Sequence, residues 1–285
     1  MAVPSLEIQE ASRLRLPRPH VILAGCVLAG IVVASVGADW IAPYPFDELH
    51  VANRLHGPSL AYLAGTDEYG RDVLSRTLYG GRLSLFLGFA AAGIGLAAGV
   101  PLGLLAGYRR GLLDEVLMRA LDVVMSFPTL LLVLLIIAVT PPGLAKTSVA
   151  VGILFVPPIA RVTRSVTLDL MTREFILAAR ARGERLSYIL WRELLPNAWP
   201  AIVVEGSLRV AFAILLGAVL SFLGFGVQPP AADWGLMINN SRDFVEVAPW
   251  LALAPGAAMS LTVIAVSMLG DGLREYLDPR LAHRQ

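Results

Sequence analysis

Lysine and cysteine are almost missing from this chain, and charge of either sign is scarce. One lysine, Lys146, stands against 22 arginines, and Cys26 is the single cysteine. A lone cysteine excludes an intrachain disulfide framework and a cysteine-based zinc cluster. The lone lysine also decides about ATP, because a phosphate-cradling loop needs G-x-x-x-x-G-K-[ST]. Lys146 precedes Thr147 but follows Ala145, with Thr140 where the first glycine belongs. The chain is therefore no P-loop ATPase, and any ATP that drives it binds to another polypeptide. The four histidines form no H-E-x-x-H or i,i+4 pair, and no G-x-S-x-G elbow occurs, which removes the usual metalloprotease and serine-hydrolase groups. His50 and His56 share one polar segment, where an ordinary loop role outweighs a metal role. A net charge of +1 leaves no electrostatic basis for nucleic-acid binding.

Charged residues fill 16% of the 285 positions, where about 25% is usual. The rest faces lipid or buried protein, and the chain reads as a membrane protein. Stretches free of Asp, Glu, Lys and Arg cover 19–38, 83–108, 123–145, 210–232 and 247–270. A shorter one, 147–160, extends to about residue 167 if Arg161 and Arg164 snorkel to the headgroups. Each matches the roughly 17–25 residues needed to cross a bilayer. The expectation is an all-α polytopic protein with six transmembrane helices. A cleaved signal peptide competes for the first stretch, since Arg13, Arg15 and Arg18 precede it and Val36-Gly37-Ala38 could pass for a cleavage site. Its apolar run, however, is longer than an ordinary h-region.

Arginine placement sets the orientation. With the N-terminus in the cytoplasm, inner segments hold 16 basic residues and outer ones 6, Arg209 lying inside a span. Both termini are thus expected in the cytoplasm. The layout becomes a cytoplasmic segment 1–18, a first helix 19–42, an extracytoplasmic loop 43–82, a five-helix core 83–275 and a cytoplasmic tail 276–285. Charge within the spans is nearly absent. Glu205 and Arg209 stand at i,i+4 early in the fifth span, where an interfacial ion pair outweighs a substrate contact. No set of proton-relay groups sits near the midplane, which disfavours an ion-coupled carrier or a channel working alone. A membrane scaffold without transport is a further alternative.

The inner segment 173–200 reads as a short amphipathic helix, a bend at Gly183, a second short helix and a stop at Pro196. Phe175, Ile176, Ile189, Leu190 and Trp191 offer apolar anchors for a partner's groove, or for the headgroup layer. Gly99, Gly103 and Gly107 recur every four residues, a spacing that lets helices approach closely, within the chain or between subunits.

The Ala178-Ala179, Gly183, Leu195-Pro196 pattern resembles the coupling motif of importer-type ABC transporter permeases, with Leu177 and Glu193 departing from the general form. The run Gly65-Thr-Asp-Glu-Tyr-Gly-Arg-Asp-Val-Leu-Ser-Arg76 is similar to a signature of the second permease of dipeptide, oligopeptide and nickel importers. Leu220–Pro230, Asp233-Trp-Gly235 and Gly270–Arg280 agree with that subfamily. The resemblance implies the type I importer permease fold, with coupling to an ATPase through Glu174, Ala178, Ala179, Gly183, Leu195 and Pro196. It makes Gly65, Thr66, Asp67, Gly70, Arg71, Asp72, Ser75 and Arg76 the outer-loop signature. The opposite charges of Asp67, Arg71, Asp72 and Arg76, close in sequence, are read as bracing the loop or a neighbouring subunit, with substrate binding as the alternative. Gln228, Asp233 and Trp234 would border the outer mouth of the pathway, with a plain surface loop as the alternative. It further implies a non-catalytic chain that holds no metal or cofactor, ATP and Mg being bound by partners. Those partners would be a second homologous permease, two ATPase domains or subunits and an extracytoplasmic binding protein, in the cytoplasmic membrane of a prokaryote. Relatives with these motifs move dipeptides, oligopeptides, glutathione or nickel chelates.

Overall fold

Two long helices, α3 (Val73–Arg109) and α6 (Leu144–Leu170), meet along a seam of glycines. The computed structural model describes residues 19–139 and 143–277. The expectations for residues 1–18, for the turn at 140–142 and for the tail beyond residue 277 lie outside the described residues. A Cβ on Gly103 would stand 2.5 Å from the Ala160 carbonyl, and one on Gly107 2.6 Å from Thr167 Cβ. Gly99 is equally tight against Ile159, and Gly152 on α6 answers with Ile94 on α3. The four-residue glycine repeat thus serves packing within the chain. In lipid, where apolar burial drives little association, such backbone proximity is the main source of helix–helix attraction.

Around this pair pack α1 (Pro19–Val36) and α11 (Trp250–Leu277) on one side and α9 (Leu195–Phe222) against both α3 and α6. Short helices α2 (Ala38–Ile41) and α10 (Trp234–Ser241) sit at the end of the bundle where the 43–72 loop folds. Among the described residues, five helices are long and apolar enough to cross a membrane. The straight helix expected over 123–145 is absent. In its place stands a pair, α4 (Gly111–Met125) and α5 (Thr129–Ala138), bent by 84°, which makes a sixth crossing if the two count as one span. Pro128 explains the break: it lacks a donor, and it disfavours helical backbone at Phe127. With ten residues, α5 reaches about 15 Å and cannot span alone.

Two more boundaries differ from expectation. Helix α3 starts at Val73, ten residues before the expected span, because Asp72 caps it: its Oδ2 accepts from Ser75 N at 2.7 Å and from Ser75 Oγ at 2.6 Å. Ser75, Arg76 and Arg82 therefore belong to the helix, and the loop is 43–72. Pro196 does not stop the chain either. A short helix, α8 (Leu186–Tyr188), continues through a π-helical stretch (Ile189–Leu194) into α9, one apolar run from Leu186 to Phe222. The wide π turn directly before Pro196 absorbs the missing N–H and the ring. As a result Glu205 and Arg209 lie near the middle of a continuous helix, with Arg209 Nε donating to Glu205 Oε1 at 2.6 Å. Helix α9 ends in a Schellman turn, Phe225 N to Leu220 O at 2.8 Å, with Gly224 at φ +86.

Gly103→Val should disrupt the seam, since overpacking of this kind costs about 1–3 kcal/mol. Thermal unfolding in detergent, followed by the fraction remaining monodisperse, is expected to fall clearly below wild type. Gly93→Ala, where a Cβ meets open space, should be neutral or slightly stabilising.

Candidate functional site

Helix α7 (Glu174–Ala181) follows α6 after three residues and returns towards the π-helical stretch. It closes in a Schellman turn, with Gly183 N donating to Arg180 O at 3.0 Å and Glu184 N to Ala179 O at 3.2 Å. Gly183 has φ +74 and open space at its Cβ position. The requirement there is backbone conformation, not close packing. Ile176, Ala179, Ile189 and Leu194 are fully buried in the main core of the chain. Ile176 and Ile189 are thus anchors to the chain's own core, contrary to their expected role towards a partner, and Leu190 packs partly beside them. The free face carries Phe175, Leu177, Ala178, Trp191, Pro196 and the arginines Arg180, Arg182, Arg185 and Arg192. Glu174 opens the helix on the exposed side, and Leu195 is half-buried. Arg182 is steadied by Glu184 at 3.3 Å and Glu193 at 3.8 Å. This is a short ledge pinned from beneath, with an apolar and basic upper surface.

At the opposite end, the 43–72 loop is braced by buried charge. Asp67 Oδ2 accepts from Arg71 Nε at 2.6 Å and lies 3.7 Å from Arg76 Nε. Arg76 Nη1 reaches the Phe46 carbonyl at 2.9 Å and the Pro230 carbonyl at 3.5 Å. Thr66 Oγ1 donates to Asn53 O and accepts from His56 N at 2.9 Å, while Thr66 O accepts from Trp250 Nε1 at 3.2 Å. Gly70, at φ +81, passes so close to His50 that a Cβ would stand 2.0 Å from its carbonyl oxygen. Gly65 likewise fits under Trp250. The signature residues therefore come together as one brace.

Of the residues expected at the outer mouth, Trp234 and Asp233 are buried within this chain. Trp234 is buried and donates from Nε1 to Thr77 O at 2.9 Å. Asp233 caps α10, accepting from Gly235 N at 2.8 Å and Leu236 N at 3.3 Å. Gln228 is exposed and bonds back to the Gly224 carbonyl at 3.1 Å. Sequence reasoning missed Arg82, which caps the end of α1 through Ser35 O at 2.6 Å and Val36 O at 2.7 Å. Arg82 also pairs with Asp39 and holds that carboxyl below its usual range. It missed as well the cross-helix pairs Asp114–Arg164 and Asp122–Arg161, whose only sequence signal is charge at the edges of apolar runs.

Residues 99–283 match the family described as binding-protein-dependent transport system inner membrane component. The chain belongs to this family. A dipeptide transport system permease protein (DppC) of Alkalihalophilus pseudofirmus is 39% identical over 255 residues, covering 90% of this chain and 84% of its own. A glutathione transport system permease protein (GsiD) of Pectobacterium atrosepticum is 41% identical over 269 residues, covering 94% and 89%. The inward-facing MetNI methionine ABC transporter aligns with a TM-score of 0.60 at 20% identity, over 71% of this chain and 97% of that one. The fold is thus that of ABC importer permeases. The family match spans α4 to α11, including the ledge at 174–200 and the Asp233 cap, but begins beyond α1 and the braced loop.

Burial raises the Asp233 carboxyl above its usual range, in a segment outside the spanning helices of this permease. A raised group contributes stability below its ordinary range and loses that contribution as pH rises through its elevated value. Asp233→Asn keeps a capping oxygen without the buried charge, so its unfolding temperature should match wild type at low pH and exceed it at pH 8. Asp233→Ala should lose the cap at every pH, about 1 kcal/mol.

Proposed function

We propose that this permease is one of two transmembrane subunits of an ATP-driven importer of short peptides, working by alternating access. A second homologous permease, two ATPase domains or subunits and an extracytoplasmic binding protein complete the machine. The termini and the 173–200 ledge face the cytoplasm, and the braced loop faces outward. Support for the sidedness is the excess of arginine, which the opposite orientation would place outside. Support for the energy source is the absence of any phosphate-binding loop from the sequence. The cargo class rests on the names of the dipeptide and glutathione relatives, glutathione being itself a tripeptide.

The observation that carries the reading is the ledge itself. Its underside is locked into the core by Ile176, Ala179, Ile189 and Leu194, so a force applied to its exposed face is delivered to α6 and α9. A helix with one face free is suited to a groove on a partner. ATPase closure would then push the ledge and reorient the helices, while the apolar spans leave selectivity mainly to the binding protein.

The test is reconstitution of the complete complex in vesicles, with uptake of labelled dipeptide, competition by glutathione or a nickel chelate, and ATP hydrolysis measured together. Gly183→Asn should remain coupled, because asparagine tolerates left-handed backbone. Gly183→Val carries about 1–2 kcal/mol of backbone strain and should lower substrate-stimulated hydrolysis about ten-fold while the complex still assembles. Normal coupled uptake by Gly183→Val would remove the ledge from the mechanism. ATP hydrolysis by the rigorously purified chain alone would overturn the division of labour.

A further inference from the structure

Helix α4 is jointed at both ends. Where it leaves α3, Arg110 and Gly111 are consecutive residues of positive φ, at +50 and +64. Where it meets α5, the backbone turns by 84° over Ser126–Pro128. Between the joints it is a regular 15-residue amphipathic helix whose acidic residues Asp114 and Asp122 point to α6. Arg164 grips Asp114 with two parallel bonds, Nε to Oδ1 at 2.5 Å and Nη2 to Oδ2 at 2.6 Å. Arg161 pairs with Asp122 through Nη2. The contacts lie eight residues apart on α4 and three apart on α6, so two separate points fix the direction of one helix against the other.

Helix α6 is joined firmly to the ledge. Met171 N donates to Thr167 O at 2.9 Å and Arg173 N to Leu170 O at 2.9 Å, which carries the helical bonding almost into α7. Other cross-chain charge is placed differently: the Asp67 brace lies in the loop, and Glu205–Arg209 is internal to α9. The two α4–α6 pairs join the helix that leads into the ledge to a helix broken from its neighbours at both ends.

We propose that Asp114–Arg164 and Asp122–Arg161 act as a drawbar: when the ledge moves α6, the pairs carry α4 with it, and the chain bends between α4 and α5 at Ser126–Pro128. Asp114, Asp122, Arg161 and Arg164 are positioning residues for the transport cycle. The inference rests on the ledge being the site of force entry. Bidentate arginine–carboxylate geometry suits this task, since it fixes orientation as well as distance. A static brace would need only one such contact and no joints at the ends of the helix it holds.

The experiment uses the full complex in a Cys26→Ser background, with spin labels at pairs of exposed positions. Labels at Arg119 on α4 and Ser165 on α6 report the drawbar, and labels at Arg119 and Leu135 on α5 report the hinge. On adding ATP, the 119–165 distance should stay constant and the 119–135 distance should change. In Asp114→Asn/Asp122→Asn the 119–165 distribution should broaden. A 119–135 distance that does not respond to ATP would overturn the proposal, as would a 119–165 distance that changes with it. These readings need no cargo, so they stand apart from the peptide assignment, which fails only if uptake fails. Transport supplies the second arm. Asp122→Arg and Arg161→Asp should each cut uptake about ten-fold while basal hydrolysis persists, and the double swap should recover most of it, as coupled sites do. Glu115→Gln, exposed on the same helix, should transport like wild type. Absence of recovery in a double swap that assembles normally would also count against the drawbar.

Discussion

Everything else in this fold is placed by the contact between the α3 and α6 backbones. Without side chains on Gly95, Gly99, Gly103 and Gly107, α3 lies directly on Phe155, Ile159, Thr163 and Thr167 of α6. Lipid tails are as apolar as leucine, so this contact draws on dispersion and on shape, which only a close approach can supply. Of its two threonines, Thr167 donates from Oγ1 to the Thr163 carbonyl at 2.7 Å within the same helix, whereas Thr163 Oγ1 is buried in the seam without a hydrogen-bond partner. The seam fixes α6, the end of α6 fixes where α7 begins, and α9 packs in turn against both partners of the seam.

Charge is used sparingly and for two purposes. At the loop end, Asp67, Arg71 and Arg76 are buried together, with Arg76 also donating to the Phe46 carbonyl, an arrangement in which loss of one partner would strand another in a low-dielectric site. That network connects the loop to α3, and Trp250 and Trp234 extend the connection to α11 and α10 through indole N–H bonds. At the opposite end, the charges are partly exposed and span between helices that have joints. The first set ties a loop to one helix, and the second set is the one that the proposed drawbar would use.

Apolar runs made the spans legible but not their ends. A search for uncharged stretches stops at Arg82, although α3 continues through Arg82 and Arg76 because both are paired or bonded to carbonyls. The same criterion hid α4, whose charges make it amphipathic, and merged its last turns with α5 across Pro128. Pro196 misled in the opposite sense, because the π-helical stretch that accommodates it has no composition signature. Gly183 was legible as a bend, since a glycine between two amphipathic stretches has few other uses. Which side of the 174–192 segment faces the core was not legible. Ile176 and Trp191 look alike as apolar residues, and only the course of α6 and α9 decides that one is buried and the other exposed.

The joints share one property: none lies in the seam. Arg110–Gly111, Ser126–Pro128, Gly183 and Gly224 all stand at helix ends, outside the stretch where α3 and α6 interlock. Proline inside α3, Pro101, occurs within the seam and yet the helix runs unbroken from Val73 to Arg109. A chain so divided has an interlocked middle, with its breaks and its positive-φ residues at the helix ends. Outside the seam, α4, α5 and the end of α9 keep long apolar faces that this chain leaves uncovered.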